Sequence, residues 1–375
     1  MKIAIYQPRV SYYVGGGEIV PLEHAHYLSK IGHDVTIVTT EAPFIKKSDY
    51  FVTFCEQNKN ISIKYLRVPV DLEWIYKKPA GIDWQRWNEE SFYVGRIALD
   101  FFSKNKFDVI ALHNTLDSIA VPLDQKSVLH LHGYPPSVDS LQAVCLTIPN
   151  GLIAVSKYIK EKWQKMVSLP RCEISTNGIR SDYFLPNKDA KKIYDILYIG
   201  RLIPIKGVEY LIRSVAIIKK KFPDILVVIA GNGPEKKKLE SLTKNLGLSK
   251  NINFIGYVKA EDLVSFYNSA KIAILPSYDR EGVLTSMLEA SSCGIPVITT
   301  TACSMREFLK DRVNGLMVKP KDYRSIAKAT INLLDNESMR RKIGEKARKT
   351  IVSEWDWSKK ILKVGKIYEE ISNNN

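Results

Sequence analysis

The stretch PSYDREGVLTSMLEASSCGIPVITT, residues 276–300, predicts a strand-end loop, a helix and a second strand in succession. The apolar run Ile272–Leu275 leads into it and is typical of a buried strand. We expect Glu281 and Gly282 to open a helix that carries a second acid, Glu289, eight residues further along. At about 1.5 Å per residue, that spacing separates the two carboxylates by roughly 12 Å. The separation is too wide for two acids acting on one bond, and it suits a long polar ligand lying along the helix end.

Short apolar strands alternate with helical segments through the whole chain, which predicts the α/β class with two doubly wound parallel-sheet domains. The predicted strands are 3–6, 35–40, 63–66, 108–113, 128–132 and 152–156 in the first half, and 195–201, 226–231, 252–257, 272–277, 296–300 and 315–318 in the second. Turn residues at Thr176–Gly178 and Leu185–Asn187 indicate a hinge near 178–192. We therefore expect a first domain over 1–180 and a second over 190–355. Ligands bind at the carboxyl ends of the strands in such sheets, so two facing sheets would place the site in a cleft between them.

Composition is that of an ordinary globular protein, with 45% apolar and 25% charged residues in a chain of 375. The longest apolar runs are too short to span a membrane, and the opening MKIAIYQPRV is typical of a strand rather than of a signal peptide. The five cysteines form no Cys-x-x-Cys pair, which argues against a disulfide framework or a zinc site. We expect a reducing compartment, the cytoplasm.

The positive charge is concentrated in the second half, where 34 Lys and Arg stand against 21 Asp and Glu. Runs such as Lys219–Lys221 and Lys236–Lys238 are best explained as solvated helix faces. The excess also fits an anionic small ligand, or peripheral contact with an anionic membrane surface at the inner face of the cell membrane. No sequence motif of a nucleic-acid-binding protein is present, so we expect no nucleic-acid partner.

Two loops contain residues suited to phosphate. Gly15–Glu18 follows the first strand and precedes a predicted helix over 20–31, so backbone N–H groups could approach an anion there. Arg201 and Lys206 lie five residues apart in the loop after the first strand of the second domain. A guanidinium fork and a mobile ammonium group together suit a diphosphate. The alternatives are a flexible glycine turn and two solvated cations.

Three further features allow more than one interpretation. Ala230–Pro234 contains a lone Gly-x-Gly, which we interpret as a tight turn rather than a dinucleotide site. His130 and His132 lie on one face of a strand. They are interpreted either as structural histidines or as a contact to substrate through His132, and a metal pair is the least favoured interpretation. The aromatic segment 74–102 forms either the apolar stripe of helices or a surface for sugar rings or a membrane interface.

Taken in order, these motifs resemble the retaining nucleotide-sugar glycosyltransferases of glycosyltransferase family 4, which have the GT-B fold of two facing Rossmann-like domains. The similar segments run almost end to end: GGGEIVPLEHAHYLSKIGHDVTIVTT, ISTNGIRSDYF, GRLIPIKG, IAGNGP, NINFIGYV and EGVLTSMLEASSCGIPVITT. The tail from Trp355 resembles the family's last helix, so 356–375 is expected to pack on the first domain.

The resemblance implies a role for each matching residue. Arg201 and Lys206 would hold the departing diphosphate, and Glu289 would accept hydrogen bonds from the ribose. Glu281 and His132 would contact the transferred sugar. The remaining donor contacts would come from Gly16 and Gly17 over the diphosphate, from Tyr257 and Val258 beside the base, and from the backbone of Gly282, Val283, Leu284 and Thr285.

The resemblance thus implies a hexosyltransferase that moves a sugar from a UDP- or GDP-sugar to a glycan, lipid-linked or other hydroxyl acceptor with retention. The sequence lacks an Asp-x-Asp motif, so we expect no divalent metal or other cofactor. Leu284 stands where family members often have glycine or proline, which predicts extra bulk beside the sugar. Two alternatives stay open: a nucleotide-sugar epimerase of the same fold, and a non-catalytic partner of another transferase.

Overall fold

The computed structural model describes residues 1–77, 84–135 and 137–373. They form two compact units. Unit 1 comprises Met1–Asn177 together with Trp357–Asn375, and unit 2 comprises Gly178–Asp356. The first change of unit falls at the start of the segment where turn residues predicted a hinge. The chain returns to unit 1 just after Trp355, where the resemblance predicted the last helix to begin.

Unit 1 is built on a parallel sheet of seven strands among the described residues, in the order β3-β2-β1-β4-β5-β6-β7. The strands are β1 Lys2–Tyr6, β2 Asp34–Glu41, β3 Ser62–Arg67, β4 Val109–Leu112, β5 Ser127–Leu131, β6 Gly151–Ala154 and β7 Cys172–Ile174. All six predicted strands of the first half are present. Strand β7 was not predicted, because a three-residue strand is too short to show an apolar pattern.

Helices cover both faces of this sheet. They are α1 Gly16–Lys30, α2 Asp49–Gln57, α3 Glu73–Tyr76, α4 Trp84–Lys104, α5 Ser140–Cys145, α6 Lys157–Gln164 and the carboxyl-terminal helix Trp357–Asn373. In β1, Ile3 and Ile5 pack with α1 and the carboxyl-terminal helix, while Ala4 and Tyr6 pack with α4 on the other face. The alternation of side chains along a strand therefore creates two core layers. The predicted start of α1 at Val20 was wrong, since the helix already includes Gly16 and Gly17.

Unit 2 repeats the plan with a parallel sheet of six strands among the described residues, in the order β10-β9-β8-β11-β12-β13. The strands are β8 Tyr194–Ile199, β9 Val227–Ala230, β10 Ile252–Gly256, β11 Ala270–Leu275, β12 Val297–Thr300 and β13 Leu316–Val318. The helices are α7 Val208–Ile218, α8 Lys236–Asn245, α9 Leu263–Asn268, α10 Thr285–Ser292, α11 Met305–Phe308, α12 Tyr323–Asp335 and α13 Glu337–Thr350. Each predicted strand of the second half is present. The predicted α/β class with two doubly wound domains is confirmed.

One local prediction was wrong. Helix α10 begins at Thr285, so Glu281 and Gly282 lie in the loop before it. Arg280 has a positive φ of 54°, and the Ser304 hydroxyl donates to the carbonyl of Glu281 at 3.2 Å. These features hold an extended loop where the sequence suggested a first helical turn. The distance of roughly 12 Å estimated along a helix therefore does not apply to Glu281 and Glu289.

Each sheet has a point at which the strand order reverses direction. In unit 1 it lies between β1 and β4, and in unit 2 between β8 and β11. The loops that leave adjacent strands diverge to opposite faces at such a point, and they leave a crevice at the carboxyl ends. Within the described ranges, no helix combines the length and the apolarity that a membrane crossing requires.

Candidate functional site

A partly buried ion pair lies at the strand-order reversal of unit 2. The Lys206 ammonium is 2.8 Å from Glu281 Oε1, and the two side chains are only 13% and 14% exposed. Lys206 ends the short turn that follows β8, and Glu281 lies in the loop that follows β11. The structure therefore brings together a cation and an acid that the sequence places far apart.

Gly207 allows the two loops to approach each other. Its φ is +69°, and a Cβ at this position would lie 2.3 Å from the carbonyl oxygen of Pro276. The backbone N–H of Tyr278 donates to the carbonyl of Ile205 at 2.9 Å. A side chain at residue 207 would separate these backbones, so the glycine is needed to position Lys206 beside Glu281.

Arg201 lies at the exposed beginning of the same loop. Its carbonyl accepts a hydrogen bond of 2.9 Å from the hydroxyl of Tyr198, a fully buried residue of β8. Burial and, after it, the negative charge of Glu281 raise the pKa of the Tyr198 phenol. The phenol is thus an uncharged donor that fixes the backbone from which Arg201 extends.

Glu289 lies in the second turn of α10, and its carboxylate is partly buried. The hydroxyl of the buried Tyr267 donates to Glu289 Oε2 at 2.5 Å. Burial raises the pKa of Glu289 to about 7, although the hydrogen bond from Tyr267 opposes this shift. At neutral pH the group is therefore close to its titration midpoint, and a ligand that donates hydrogen bonds to it would favour the ionised form.

Leu284, which lies between the two acids, has a different role from the one that the sequence suggested. Val283 and Leu284 are 9% and 6% exposed and belong to the core of unit 2. The backbone of Leu284 has φ −64° and ψ 126°, which any residue adopts. The expectation that Leu284 adds bulk beside a bound sugar was therefore wrong. Among the described residues no side chain caps the first turn of α10, so the turn begun by Thr285 is suited to an anion or hydroxyl ligand.

The other donor-site candidates of unit 2 lie after neighbouring strands. Tyr257, which is 62% exposed, and the half-buried Val258 follow β10. The Gly-x-Gly of the sequence follows β9, and a Cβ on Gly231 would lie 1.9 Å from the carbonyl oxygen of Gly200. A Cβ on Gly233 would similarly lie 2.3 Å from that of Leu202. These two glycines therefore permit a close backbone approach between the loops after β8 and β9.

Gly16 and Gly17 form the first turn of α1 in unit 1. A Cβ on Gly17 would meet no described atom within 4 Å, so the space beside it is open. The next residue, Glu18, lies 3.9 Å from the guanidinium of Arg9. This ion pair ties the start of α1 to the loop that follows β1.

Arg9 belongs to a buried charge network that sequence reasoning missed. Its guanidinium is 3.3 Å from Glu90, which is completely buried and also accepts a hydrogen bond of 2.8 Å from Tyr12. The Ser91 hydroxyl donates to the buried Asp117 at 2.7 Å. Burial raises the pKa of Asp117 to about 6, opposed by the charge of Arg9. Glu90 follows another acid, Glu89, in a helix with many polar side chains, so no signal in the sequence indicated that it would be buried.

Four histidines cluster under the carboxyl ends of β4 and β5. Nδ1 of His113 lies 2.9 Å from Nε2 of His132, and the His113 ring stacks on His130 with the ring centroids 4.8 Å apart and the ring planes at 12°. His24 of α1 lies against His130 at 4.9 Å between centroids. Burial lowers the pKa of His132 to about 4, and burial with the charge of His132 lowers that of His24 to about 3. The cluster is therefore uncharged at neutral pH.

The ring orientations in this cluster do not favour a metal ion. His24, His113 and His130 are the group of described residues whose ligand atoms could hold one, with those atoms within 4.8 Å of one another. An imidazole binds a metal in the plane of its ring, at about 2.0–2.1 Å for zinc. The planes of His113 and His130 are nearly parallel, at 12°, an orientation that does not favour a shared in-plane metal position.

The aromatic segment 74–102 divides between core and surface, and residues 78–83 of it lie outside the described part. Phe102 is completely buried, whereas Trp74, Phe92 and Tyr93 are 40–43% exposed. The Arg9 guanidinium packs over Trp87 at 4.9 Å from the ring centroid. Part of the segment is thus the apolar stripe of α4, and part covers the charge network.

Comparisons with known proteins match this architecture in both units. The family model described as Glycosyltransferase Family 4 matches residues 14–183, and the one described as Glycosyl transferases group 1 matches residues 182–350. An uncharacterized glycosyltransferase of Methanocaldococcus jannaschii is 30% identical, over 99% of each chain. Over 48% of this chain and 51% of its own length, a GDP-mannose-dependent α-(1-6)-phosphatidylinositol monomannoside mannosyltransferase of Mycolicibacterium smegmatis is 28% identical.

Solved structures show the same fold at lower identity. Anabaena HepE, in complex with UDP and glucose, superposes with a TM-score of 0.77 at 18% identity, over 98% of this chain and 99% of its own. That likeness establishes the two-domain GT-B fold.

Proposed function

The chain belongs to glycosyltransferase family 4, and on that premise we propose that it transfers a sugar from a UDP- or GDP-sugar to a hydroxyl acceptor with retention. The observation that supports this most strongly is the Lys206–Glu281 pair at the strand-order reversal of unit 2. Doubly wound sheets bind their ligands at that point. A cation and an acid there suit a ligand with a phosphate end and a hydroxyl-bearing end.

The proposed roles follow from this placement. Lys206 and Arg201 bind the diphosphate, and Glu281 binds the transferred sugar. Glu289 accepts hydrogen bonds from the ribose hydroxyls, and Tyr257 with Val258 flanks the base. Further donor contacts come from the backbone N–H groups of Gly282, Val283, Leu284 and Thr285, and from Gly16, Gly17 and His132 of unit 1.

The mechanism rests on charge. Breaking the anomeric C–O bond leaves positive charge on the sugar and negative charge on the departing diphosphate. Lys206, Arg201 and the amino terminus of α10 stabilise the departing anion, an electrostatic contribution that is often the largest in catalysis. These protein cations supply the stabilisation for which other transferases use a divalent metal, so we propose metal-independent transfer.

For the acceptor and for the nucleobase of the donor, we propose a chemical class. HepE was solved with UDP, and the mycobacterial relative is named for GDP-mannose, which supports a uridine or guanosine donor. We propose a glycan or a lipid-linked acceptor. The lipid-linked class fits the excess of basic residues, because they would favour contact with an anionic membrane surface.

A donor panel tests the proposal. The protein is incubated with UDP- and GDP-sugars, and its unfolding temperature is measured, because a bound ligand stabilises the folded state by mass action. The stabilising donor is then assayed for release of nucleoside diphosphate, with and without glycan and lipid-linked acceptors. We expect release that depends on the acceptor. Conversion of the donor without an acceptor would indicate an epimerase, and stabilisation without any turnover would indicate a non-catalytic partner.

A further inference from the structure

His113 and His132 meet at the ends of two neighbouring strands. β4 and β5 are paired in parallel, and the two rings extend from the first residue after each strand. Nδ1 of His113 and Nε2 of His132 are 2.9 Å apart, which is a hydrogen-bond distance. Between two neutral imidazoles, one nitrogen must donate and the other must accept.

Both rings are neutral at physiological pH. Burial lowers the pKa of His132 to about 4. Burial, followed by the charges of His130, His132, His24 and Arg9, lowers that of His113 well below its ordinary value. Each ring therefore has a single N–H, and the direction of the bond fixes the tautomer of both.

The second nitrogen of His113 decides the direction. Its Nε2 is buried and has no hydrogen-bond partner among the described residues. If His132 donated, neutral His113 would have its proton on Nε2, a buried N–H without an acceptor. If His113 donates, Nε2 has only a lone pair without a donor. In protein backbones a buried N–H without an acceptor is rarer than a buried acceptor without a donor. By the same reasoning for the ring nitrogens, donation by His113 is favoured.

We infer that His113 Nδ1–H donates to Nε2 of His132 and thereby holds His132 in the tautomer that presents Nδ1–H. His113 is a positioning residue, and the group that reaches a ligand is a neutral donor on His132. If His132 contacts the donor sugar, as the proposed function has it, its partner there is an acceptor atom, a hydroxyl or phosphate oxygen.

The surroundings hold the His113 ring in one orientation. His130 stacks on it at 12°, and Nε2 of His130 is 2.7 Å from the hydroxyl of Tyr368 in the carboxyl-terminal helix. The tautomer of His132 is therefore supported by an ordered chain of rings that extends to that helix.

The test is a nitrogen NMR measurement on the full-length protein labelled with 15N-histidine. Chemical shifts distinguish a protonated from an unprotonated ring nitrogen, and the His132→Gln variant identifies the signals of His132. We expect His132 to be protonated on Nδ1 in the wild type. In His113→Leu we expect the proton to move to Nε2, the nitrogen that free neutral histidine prefers. A wild-type proton on Nε2, or an unchanged tautomer in His113→Leu, would overturn the inference.

Kinetics then separate positioning from a structural role. His113→Leu removes the donor. His113→Asn has a side chain similar in shape to leucine but retains an amide donor at the position of Nδ1. We expect kcat for transfer to fall about two- to tenfold in the leucine variant and to recover in the asparagine variant, with unchanged affinity for the nucleoside diphosphate. Equal loss in both variants would contradict the positioning role. Absence of transfer in the wild type would instead refute the proposed function, and the NMR result would still decide the tautomer.

Discussion

The two sheets place different chemistry at equivalent points of the same topology. Where the strand order reverses in unit 2, Lys206 and Glu281 form an ion pair that keeps 13% and 14% of its side-chain area exposed. Near the corresponding point in unit 1, His113 follows β4 within a buried and uncharged cluster. The charges of the Arg9 network in unit 1 are paired internally, with Arg9 and Glu90 almost fully buried.

The difference shows that the degree of burial of the charged groups suits the two units to different ligands. A partly exposed charge can exchange its partner for a ligand, whereas a fully buried one would leave its partner uncompensated. Unit 2 is therefore suited to bind an anion, and unit 1 is suited to offer neutral donors held in fixed orientation. Four changes test this division.

The largest expected effect follows loss of the cation in unit 2. Lys206→Ala should lower kcat by about 10²–10³-fold, the scale for removing one electrostatic contact to a developing charge. Steady-state kinetics with the stabilising donor measure it. Lys221→Ala is the control, because Lys221 forms a surface ion pair with Asp335. Unchanged kinetics in Lys206→Ala would remove this residue from the mechanism.

The neutrality of the unit 1 histidines predicts acid sensitivity. His24 has a folded pKa of about 3, well below the unfolded value near 6.5, so unfolding takes up a proton and stability falls as pH drops below about 6.5. Lowering the pH from about 7 to about 5 should reduce the free energy of unfolding by roughly 2 kcal/mol through this group. His24→Phe should remove that part of the loss, as measured by urea unfolding at both pH values. His33→Asn is the control, because His33 is less buried. A pH dependence identical to the wild type in His24→Phe would show that the ring is not held neutral.

Glu289 should make nucleotide binding depend on pH. Its pKa is raised to about 7, and ribose hydroxyls need the ionised acceptor. Binding should therefore strengthen about tenfold as the pH rises from about 6 to 8, because the ionised fraction rises by that factor. Calorimetry with the nucleoside diphosphate measures this dependence. Glu289→Gln controls for titration of the ligand itself and should lose the trend; an equal trend in both proteins would exclude Glu289.

The smallest effect on folding is expected at Gly17. Because a Cβ there meets no described atom within 4 Å and the residue is helical, Gly17→Ala should leave stability unchanged or raise it by up to about 1 kcal/mol. Any loss of donor affinity in this variant would then report a ligand close to the start of α1. Thermal unfolding and calorimetry measure the two quantities. Destabilisation together with full affinity would show that Gly17 serves folding only.

The sequence predicted the fold well because its signals are local. Each buried parallel strand is a short apolar run bounded by turn residues, and this pattern located every strand except β7. Helix starts were harder, since glycines 16 and 17 can open a helix or form a loop with equal ease. The start of α10 was misplaced for a similar reason: the loop around Glu281 is held by Ser304, a contact 23 residues away.

The candidate site was only partly predictable. Residue types at strand ends pointed to Lys206, Glu281 and His132, because chemistry in these folds concentrates there. Glu289 was suggested by its spacing from Glu281 instead. The sequence did not show which of these residues pair with each other or how deeply they are buried. The Lys206–Glu281 contact and the His113–His132 bond join separate loops, and the shifted pKa of Glu289 depends on the depth at which α10 packs. Leu284 was misjudged because the sequence does not show which way a side chain faces in an irregular loop.

The most direct test of the donor site in unit 2 compares two ligands on two variants by calorimetry. The affinities of the nucleoside diphosphate and of its sugar conjugate are measured for Glu289→Ala and Glu281→Ala. If the nucleotide end lies at Glu289 and the sugar end at Glu281, the first variant will bind both ligands more weakly. The second will then lose only the extra affinity that the sugar provides. Equal losses for both ligands in both variants would contradict this account.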